Sequence, residues 1–377
     1  MSTLTESRSG SHVTMASAVS HQPDGAAAVA ELAAALGPAA DLYVVFVAPG
    51  YDLTSVGAAL RGHFGERVIG CTSSGNICDD GYDGGGICAA ALKGGLHCRT
   101  MVVGPLDDAP AAVENAGAQL AVLRAELDDR DGFALLLTDG LARNEDVLAA
   151  SLMAALGDVP IIGGSAGDGL QFTCTSVYHD GVFAENRATV TVVRSDAPFR
   201  LLRLQHHEPT DIVLVATDVD PEQRIVRAFN GRPAAQAYAD AVHLPRSDVT
   251  PATFSRHPLM LTAGGNSWIR SIAELRSDGA LGFFARVDLG DVLRIGASSG
   301  LLDKLDDGLR SVRAELGSLS GMLVFDCVLR RLESEEHGLT DRVGALLAEH
   351  GAVGFSTYGE QFNGMHMNQT LVAVAFA

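Results

Sequence analysis

Lysine is nearly missing from this chain of 377 residues: Lys93 and Lys304 stand against 25 arginines. Neither lies in a GxxxxGK[ST] loop, which argues against a P-loop nucleotide hydrolase, and Schiff-base chemistry has only those two amines to use. The six cysteines (Cys71, Cys78, Cys88, Cys98, Cys174, Cys327) form no CxxC pair, so they read as free thiols of a reducing compartment. No CxxCH is present for covalent haem, and no HExxH or EF-hand spacing for a metal. Apolar content reaches 47%, yet no apolar run approaches bilayer length. The segment up to residue 25 is rich in Ser, Thr, Gly and His and has no apolar signal core, which predicts a flexible tail on a cytoplasmic protein. Positive charge is also short. A net charge of −19 repels phosphate backbones and anionic headgroups, making nucleic acid and membrane surfaces poor partners.

What is abundant is glycine, 42 residues, much of it in turns that follow short apolar runs. One pattern occurs three times: apolar strand, helix, apolar strand, glycine- and hydroxyl-rich turn, apolar return. The first copy has strand 42–47, a helix from 54 to 64, Val68-Ile69-Gly70, and the turn Cys71-Thr72-Ser73-Ser74-Gly75-Asn76, with a return over 86–92. The second has 133–137, a helix over 144–156, then Ile162-Gly163-Gly164-Ser165-Ala166-Gly167-Asp168 and a return over 188–193. The third has 322–325, a helix over 340–350, Val353-Gly354-Phe355-Ser356-Thr357-Tyr358-Gly359-Glu360, and a return over 370–376. The spacing predicts an α/β fold of two domains, each with mixed β-sheets and packed helices, and turns that gather at one end of the sheets. Residues 26–225 form the first domain and 226–377 the second, which adds a β-rich stretch over 259–299.

The turns are the first candidates for a ligand pocket: Cys71, Thr72, Ser73, Gly75, Gly164, Ser165, Gly167, Gly359 and Glu360. A turn Ser or Cys as nucleophile of a hydrolase is one reading. The G-x-S-x-G elbow is matched at none of them, and the other reading is glycine permitting the backbone while Ser and Thr cap it. His206-His207-Glu208 is dense, but neighbours on a strand point to opposite faces, so this run is not expected to hold one ion. Non-covalent haem needs only one axial histidine, and His366, His257, His206 and His207 are candidates. Arg330 and Arg331 end the third copy's first strand, placed either to bind a carboxylate or haem propionate or to pair with Glu333, Glu335 or Glu336.

Together, Ile69-Gly-Cys-Thr-Ser-Ser-Gly-Asn76, Gly163-Gly-Ser-Ala-Gly-Asp168, Phe229-Asn-Gly-Arg-Pro-Ala234, Phe325-Asp-Cys-Val-Leu-Arg330, Gly354 to Glu360 and Asn368-Gln-Thr370 resemble the FIST family of bacterial sensory proteins. Where that family often carries Gly-Glu in the first turn, this chain has Gly75-Asn76. The resemblance implies a FIST N-terminal and a FIST C-terminal domain and no enzymatic activity. It also implies small-ligand sensing that regulates a histidine kinase, a diguanylate cyclase or a phosphodiesterase. One branch binds haem and senses nitric oxide, and this chain is similar to it in residues 359–370 and in Tyr178-His-Asp-Gly181. That branch implies haem b as cofactor, nitric oxide as ligand, His366 on the iron ahead of His257, and Arg330 or Arg331 on a propionate. A haem-free sensor of an amino acid or other small carboxylate is the alternative, and a homodimer is compatible with either.

Overall fold

The computed structural model describes residues 12–127, 131–263 and 265–377. Each of the three glycine-rich turns follows a strand that lies parallel to the strand opening its unit, because a helix carries the chain over between them. The parallel pairs are Leu42–Val47 with Val68–Thr72, Gly132–Thr138 with Ile161–Ser165, and Gly321–Cys327 with Ala352–Thr357. Gly70, Gly163 and Gly354 sit at one equivalent place in these pairs, opposite Val45, Leu136 and Val324. A Cβ at any of the three would overlap the carbonyl oxygen of that facing residue. Glycine is required there by contact.

Each pair grows into a six-stranded sheet, and the three sheets share one strand order. The first sheet runs Thr14–Ser20, Ile87–Lys93, Leu42–Val47, Val68–Thr72, Val177–His179, Val182–Ala184. The second runs Leu96–Val103, Ala188–Ser195, Gly132–Thr138, Ile161–Ser165, Glu360–Phe362, Met365–Met367. The third runs Phe199–Leu204, Leu371–Phe376, Gly321–Cys327, Ala352–Thr357, Asn76–Cys78, Gly81–Asp83. The last two strands of every sheet are a hairpin from a different unit. The first sheet takes its hairpin from the second unit, the second from the third, and the third from the first, closing a ring of exchange.

Strand residues alternate between two apolar environments, which is why these strands read as continuous hydrophobic runs. Val44, Phe46, Leu135, Leu137, Leu323 and Phe325 point into one core shared by all three sheets. Phe46 stacks on Phe355 at 4.6 Å, and Phe325 meets the same ring edge-on at 5.9 Å. Outward-facing neighbours are covered by helices: Tyr43 and Val45 by Leu53–Phe64, Ala134 and Leu136 by Glu145–Leu156, Met322 and Val324 by Leu301–Leu316 and Thr340–Glu349.

A fourth, antiparallel sheet enters the chain between Phe199–Leu204 and Gly321–Cys327. Its longest strand, His207–Asp220, pairs with Val292–Ser298 on one side and Ile225–Phe229 on the other. It encloses its own core around Phe229, Tyr238 and Leu281. Residue 225, where the sequence suggests a domain boundary, opens a strand of this sheet. Residues 14–20, expected within a flexible tail, instead form the edge strand of the first sheet, paired from Thr14 with Lys93 to Ser20 with Ile87. Their alternation of small and polar residues hides a strand whose stability comes from its partner. Residues 1–11 of the expected tail lie outside the described residues.

Candidate functional site

The three turns meet, and they satisfy one another. Ser74 N–H donates to Ser356 O (3.1 Å) and Ser356 N–H to Gly75 O (2.7 Å). Ser165 N–H donates to Gly359 O (2.8 Å), Tyr358 N–H to Ser165 O (3.1 Å), and Gly167 N–H to Thr72 O (3.0 Å). Side chains add further bonds, although the Ser356 hydroxyl is buried without a partner. Ser73 Oγ donates to Asn76 Oδ1 at 2.8 Å, and Asp168 accepts from the N–H groups of Phe172, Thr173 and Cys174 and from the Tyr358 hydroxyl. Thr72, Ser73, Ser165, Ser356 and Glu360 are all buried. Their polar groups are used as structural cement. Burial pushes the Cys71 thiol well above its ordinary value, far from a thiolate nucleophile. Burial also pushes Glu360 up to about 8, although Thr357 and Thr370 donate to its carboxylate.

A different place gathers uncompensated polarity. The helix Glu145–Leu156 begins after Arg143, held at φ 59°, and Asn144. Asn144 does not cap its own helix, because its Nδ2 donates to Leu106 O (2.7 Å) and Asp107 O (3.3 Å). Glu145 and Asp146 therefore stand in a first turn whose N–H dipoles favour negative charge. Across from them, Arg224 in the turn before Ile225–Phe229 reaches Glu145 Oε2 and, at 3.2 Å, Asp146 Oδ2. Arg286 N–H donates to the same Oδ2 at 3.1 Å. Asp146 Oδ1 is buried with no hydrogen-bond partner. Burial raises the Asp146 pKa, but His366, Arg270, Arg224 and the Arg286 N–H outweigh it and hold the carboxyl below its ordinary value.

Beside this cluster opens a cleft of about 450 Å³. Asp107, Arg143 and Asp146 line it from the unit of the second sheet, Glu222 and Arg286 from connections of the fourth sheet. Both signs of charge face one small space, and Arg143 has no ion-pair partner among the described residues. The sequence reading missed this site. Acids opening a helix are a legible signal, but nothing in the sequence ties them to Arg224, 78 and 79 residues away.

The histidine candidates fall in three separate places. His366, on the hairpin contributed to the second sheet, is buried, with Nδ1 3.0 Å from Gln361 Nε2. Its ring shares a cluster with the Glu145 and Asp146 carboxylates, one ligand-type atom from each lying within 4.8 Å of the others. Burial, reinforced by Arg224 and Arg270 and opposed by the two acids, lowers its pKa, so the ring is neutral at pH 7. His257 caps the short helix Pro251–Arg256, half-buried and remote from the cleft lining.

His206 and His207 converge, contrary to the expectation from strand alternation, with ring centroids 4.2 Å apart. His206 precedes the strand that starts at His207 and lies in the corner leading into it, where the alternation rule does not apply. His206 Nε2 sits 2.9 Å from Glu333 Oε1, and Arg330 donates to Nδ1 at 2.8 Å. Arg330 also holds Asp326 at 2.8 Å, so of the two expected roles it takes ion pairing, with a partner outside the acids named from the sequence. Arg331 pairs with Glu335 at 2.9 Å and donates to Ser74 O at 3.3 Å. Burial and the Arg330 charge push His206 down to about 2, and burial, His206 and Arg330 push His207 down to about 3 despite Glu333.

Neither histidine–carboxylate cluster fits a metal ion. A guanidinium donating to His206 Nδ1 keeps the ring proton on Nε2, the nitrogen facing Glu333, so ligation there would set N–H against N–H at Nδ1. In the other cluster the carboxylates are already neutralised by Arg224. Haem does not fit His366 either. Gln361 occupies Nδ1, and the Cε1–Nε2 edge packs so closely on Gly359 that a Cβ there would overlap the ring. The cleft alongside is charged and lined by no histidine, whereas a porphyrin face needs an apolar slot.

The sheets and their helices define a mixed α/β protein with a charged cleft beside its second sheet. The FIST N domain family model matches residues 41–232 and the FIST C domain family model residues 234–363, and the chain belongs to the FIST family. FIST domains are sensory and bind small ligands. No curated protein matches the chain. Among solved structures it is similar to a crystal structure of chorismatase, with 9% identity and a TM-score of 0.35 over 98% of this chain and 99% of that one. Among the described residues no helix is long and apolar enough to cross a membrane.

Proposed function

We propose that this protein is a haem-free cytoplasmic sensor whose ligand, an amino acid or other small carboxylate, occupies the cleft between the second sheet's helix Glu145–Leu156 and the fourth sheet. The observation that carries this reading is that Arg143 and Arg286 line, with Asp107, Asp146 and Glu222, one space of about 450 Å³. Guanidinium groups take a carboxylate bidentately, and the acids Asp107, Asp146 and Glu222 of the lining favour an ammonium group. Because Arg224 and Arg286 reach from the fourth sheet to the acids of the helix Glu145–Leu156, a bound ligand competes with the contacts that hold the two together. That shift in balance is the signal. Its output passes to a histidine kinase, a diguanylate cyclase or a phosphodiesterase, and the protein itself performs no chemistry.

The test is calorimetric titration of the full chain with a panel of amino acids and dicarboxylates. A saturable ligand is expected, with affinity at least tenfold weaker in Arg143→Ala, a loss of about 1.4 kcal/mol. Absence of any binder, or a binder indifferent to Arg143→Ala, overturns the reading. Added haem is expected to give no saturable Soret band. A stoichiometric band that shifts with nitric oxide and disappears in His366→Ala would restore the gas-sensor reading.

A further inference from the structure

Between the cleft and the junction of the three turns lies one side chain that touches both. Gln361 Nε2 donates to Ser165 Oγ at 2.8 Å and to His366 Nδ1 at 3.0 Å, while its Oε1 is buried without a partner. Ser165 is bonded through its main chain to Gly359 and Tyr358. Tyr358 in turn holds Asp168 through its hydroxyl and stacks on Phe172 at 4.7 Å. On the other side, His366 faces Glu145 and Asp146 from the cleft helix, Arg224 from the fourth sheet, and Arg270, whose Nη1 donates to the His366 carbonyl at 2.7 Å.

A primary amide offers a donor on one face and an acceptor on the other, so it can serve either state of an imidazole by turning over. With Nδ1 unprotonated, the amide donates to it, as found. With a proton on Nδ1, donor would face donor. The amide must then rotate by half a turn, so that Oε1 accepts from Nδ1–H and from the Ser165 hydroxyl. That rotation reverses the direction of the hydrogen bond at Ser165.

We propose that Gln361 is the relay of the sensor: its amide turns over when His366 gains a proton, and charge placed at Asp146 in the cleft sets when that happens. The input rests on the cleft reading above; the amide switch itself rests on the Ser165–Gln361–His366 geometry alone. A cationic group on Asp146 offsets the carboxylate that His366 feels and holds the imidazole neutral. Loss of the Arg224 contact does the reverse. Either change reaches the turns of all three sheets through one hydrogen bond.

The experiment is a pH titration by NMR of the full chain, with ¹⁵N labelling of backbone, histidine rings and glutamine amides, and with no ligand added. At neutral pH the His366 proton is expected on Nε2. As pH falls, the Gln361 side-chain amide and the Ser165 and Tyr358 backbone amides should move with the same midpoint as His366. Asp146→Asn should lower that midpoint. In Gln361→Leu, His366 should still titrate while Ser165 and Tyr358 stay still. Should Gln361→Leu fail to fold, Gln361→Glu decides, because its carboxylate only accepts. That variant should raise the His366 midpoint by about one unit or more, a tenfold change in proton affinity. Ser165 and Tyr358 amides that move in Gln361→Leu as they do in the parent, or an Nδ1 proton on His366 at neutral pH, overturn the relay. Because no ligand is present, a cleft that binds nothing and a relay that fails give separate results.

Discussion

The junction of the three turns and the cleft beside it are built from similar residues, and they differ in how their polar groups are spent. At the junction, backbone N–H and C=O groups from three sheets pair with each other, and the Asp168 carboxylate accepts from three successive N–H groups and a hydroxyl. At the cleft, Asp146 keeps one buried oxygen without a partner, and Arg143 forms no ion pair among the described residues. A densely paired polar cluster rigidifies, whereas charge left open at a cleft is poised to take a partner. Richness in Ser, Thr and Gly therefore marks where the chain turns, and charge left open marks the cleft.

The sharpest way to break the contrast is to remove what the junction depends on. Ending the chain at residue 368 deletes Leu371–Phe376, which lies inside the third sheet between Phe199–Leu204 and Gly321–Cys327. No cooperative unfolding transition is expected from residues 1–368, and a soluble product with a sharp melt would refute the account of the core. Phe355→Ala, at the meeting of Phe46 and Phe325, should cost about 3–5 kcal/mol in urea denaturation. A loss below about 1 kcal/mol would mean that the shared core is looser than its ring contacts indicate.

Glu360 gives a finer test, and its sign follows from the raised pKa. Between the ordinary glutamate value near 4.5 and about 8, the unfolded chain ionises this carboxyl while the folded chain keeps it protonated. Stability should therefore fall as pH rises through that window, by at most about 1.4 kcal/mol per unit. Glu360→Gln should flatten the dependence, which urea midpoints at pH 5 and pH 7.5 will show. The smallest effect is expected in the cleft. Arg143→Ala, exposed and unpaired, should leave stability within about 0.5 kcal/mol of the parent while weakening the ligand. A large loss of stability would move Arg143 from the ligand site to the framework.

Much of the framework was legible in the sequence, for a physical reason. Runs such as Leu42 to Val47 are buried on both faces, and an all-apolar strand between a helix and a glycine turn leaves few alternatives. The edge strand Thr14–Ser20 was not legible, because only one of its seven residues is fully buried and its register comes from Ile87–Lys93. The site divides along the same line. Turn residues were visible through their composition, and the structure gives them to the framework. His366 was visible as a histidine near a family motif, but its neighbours were not. Glu145, Asp146, Arg224 and Arg270 come together only through tertiary folding. His206 and His207 escaped the alternation argument because a corner, not a strand, carries the first of them.

The ring of hairpin exchange has a consequence in time. As the chain leaves the ribosome, Asn76–Cys78 and Gly81–Asp83 emerge roughly 270 residues ahead of Ala352–Thr357, the strand against which they finish the third sheet. At ordinary synthesis rates that is a wait of roughly 15 to 55 s with an unpaired strand edge. The second sheet likewise stays open until Glu360–Phe362 arrives, roughly 200 residues behind Ile161–Ser165. Nascent chains of this protein should therefore depend on holding chaperones more than their length alone implies, and a premature stop late in the gene should be as damaging as one near its middle.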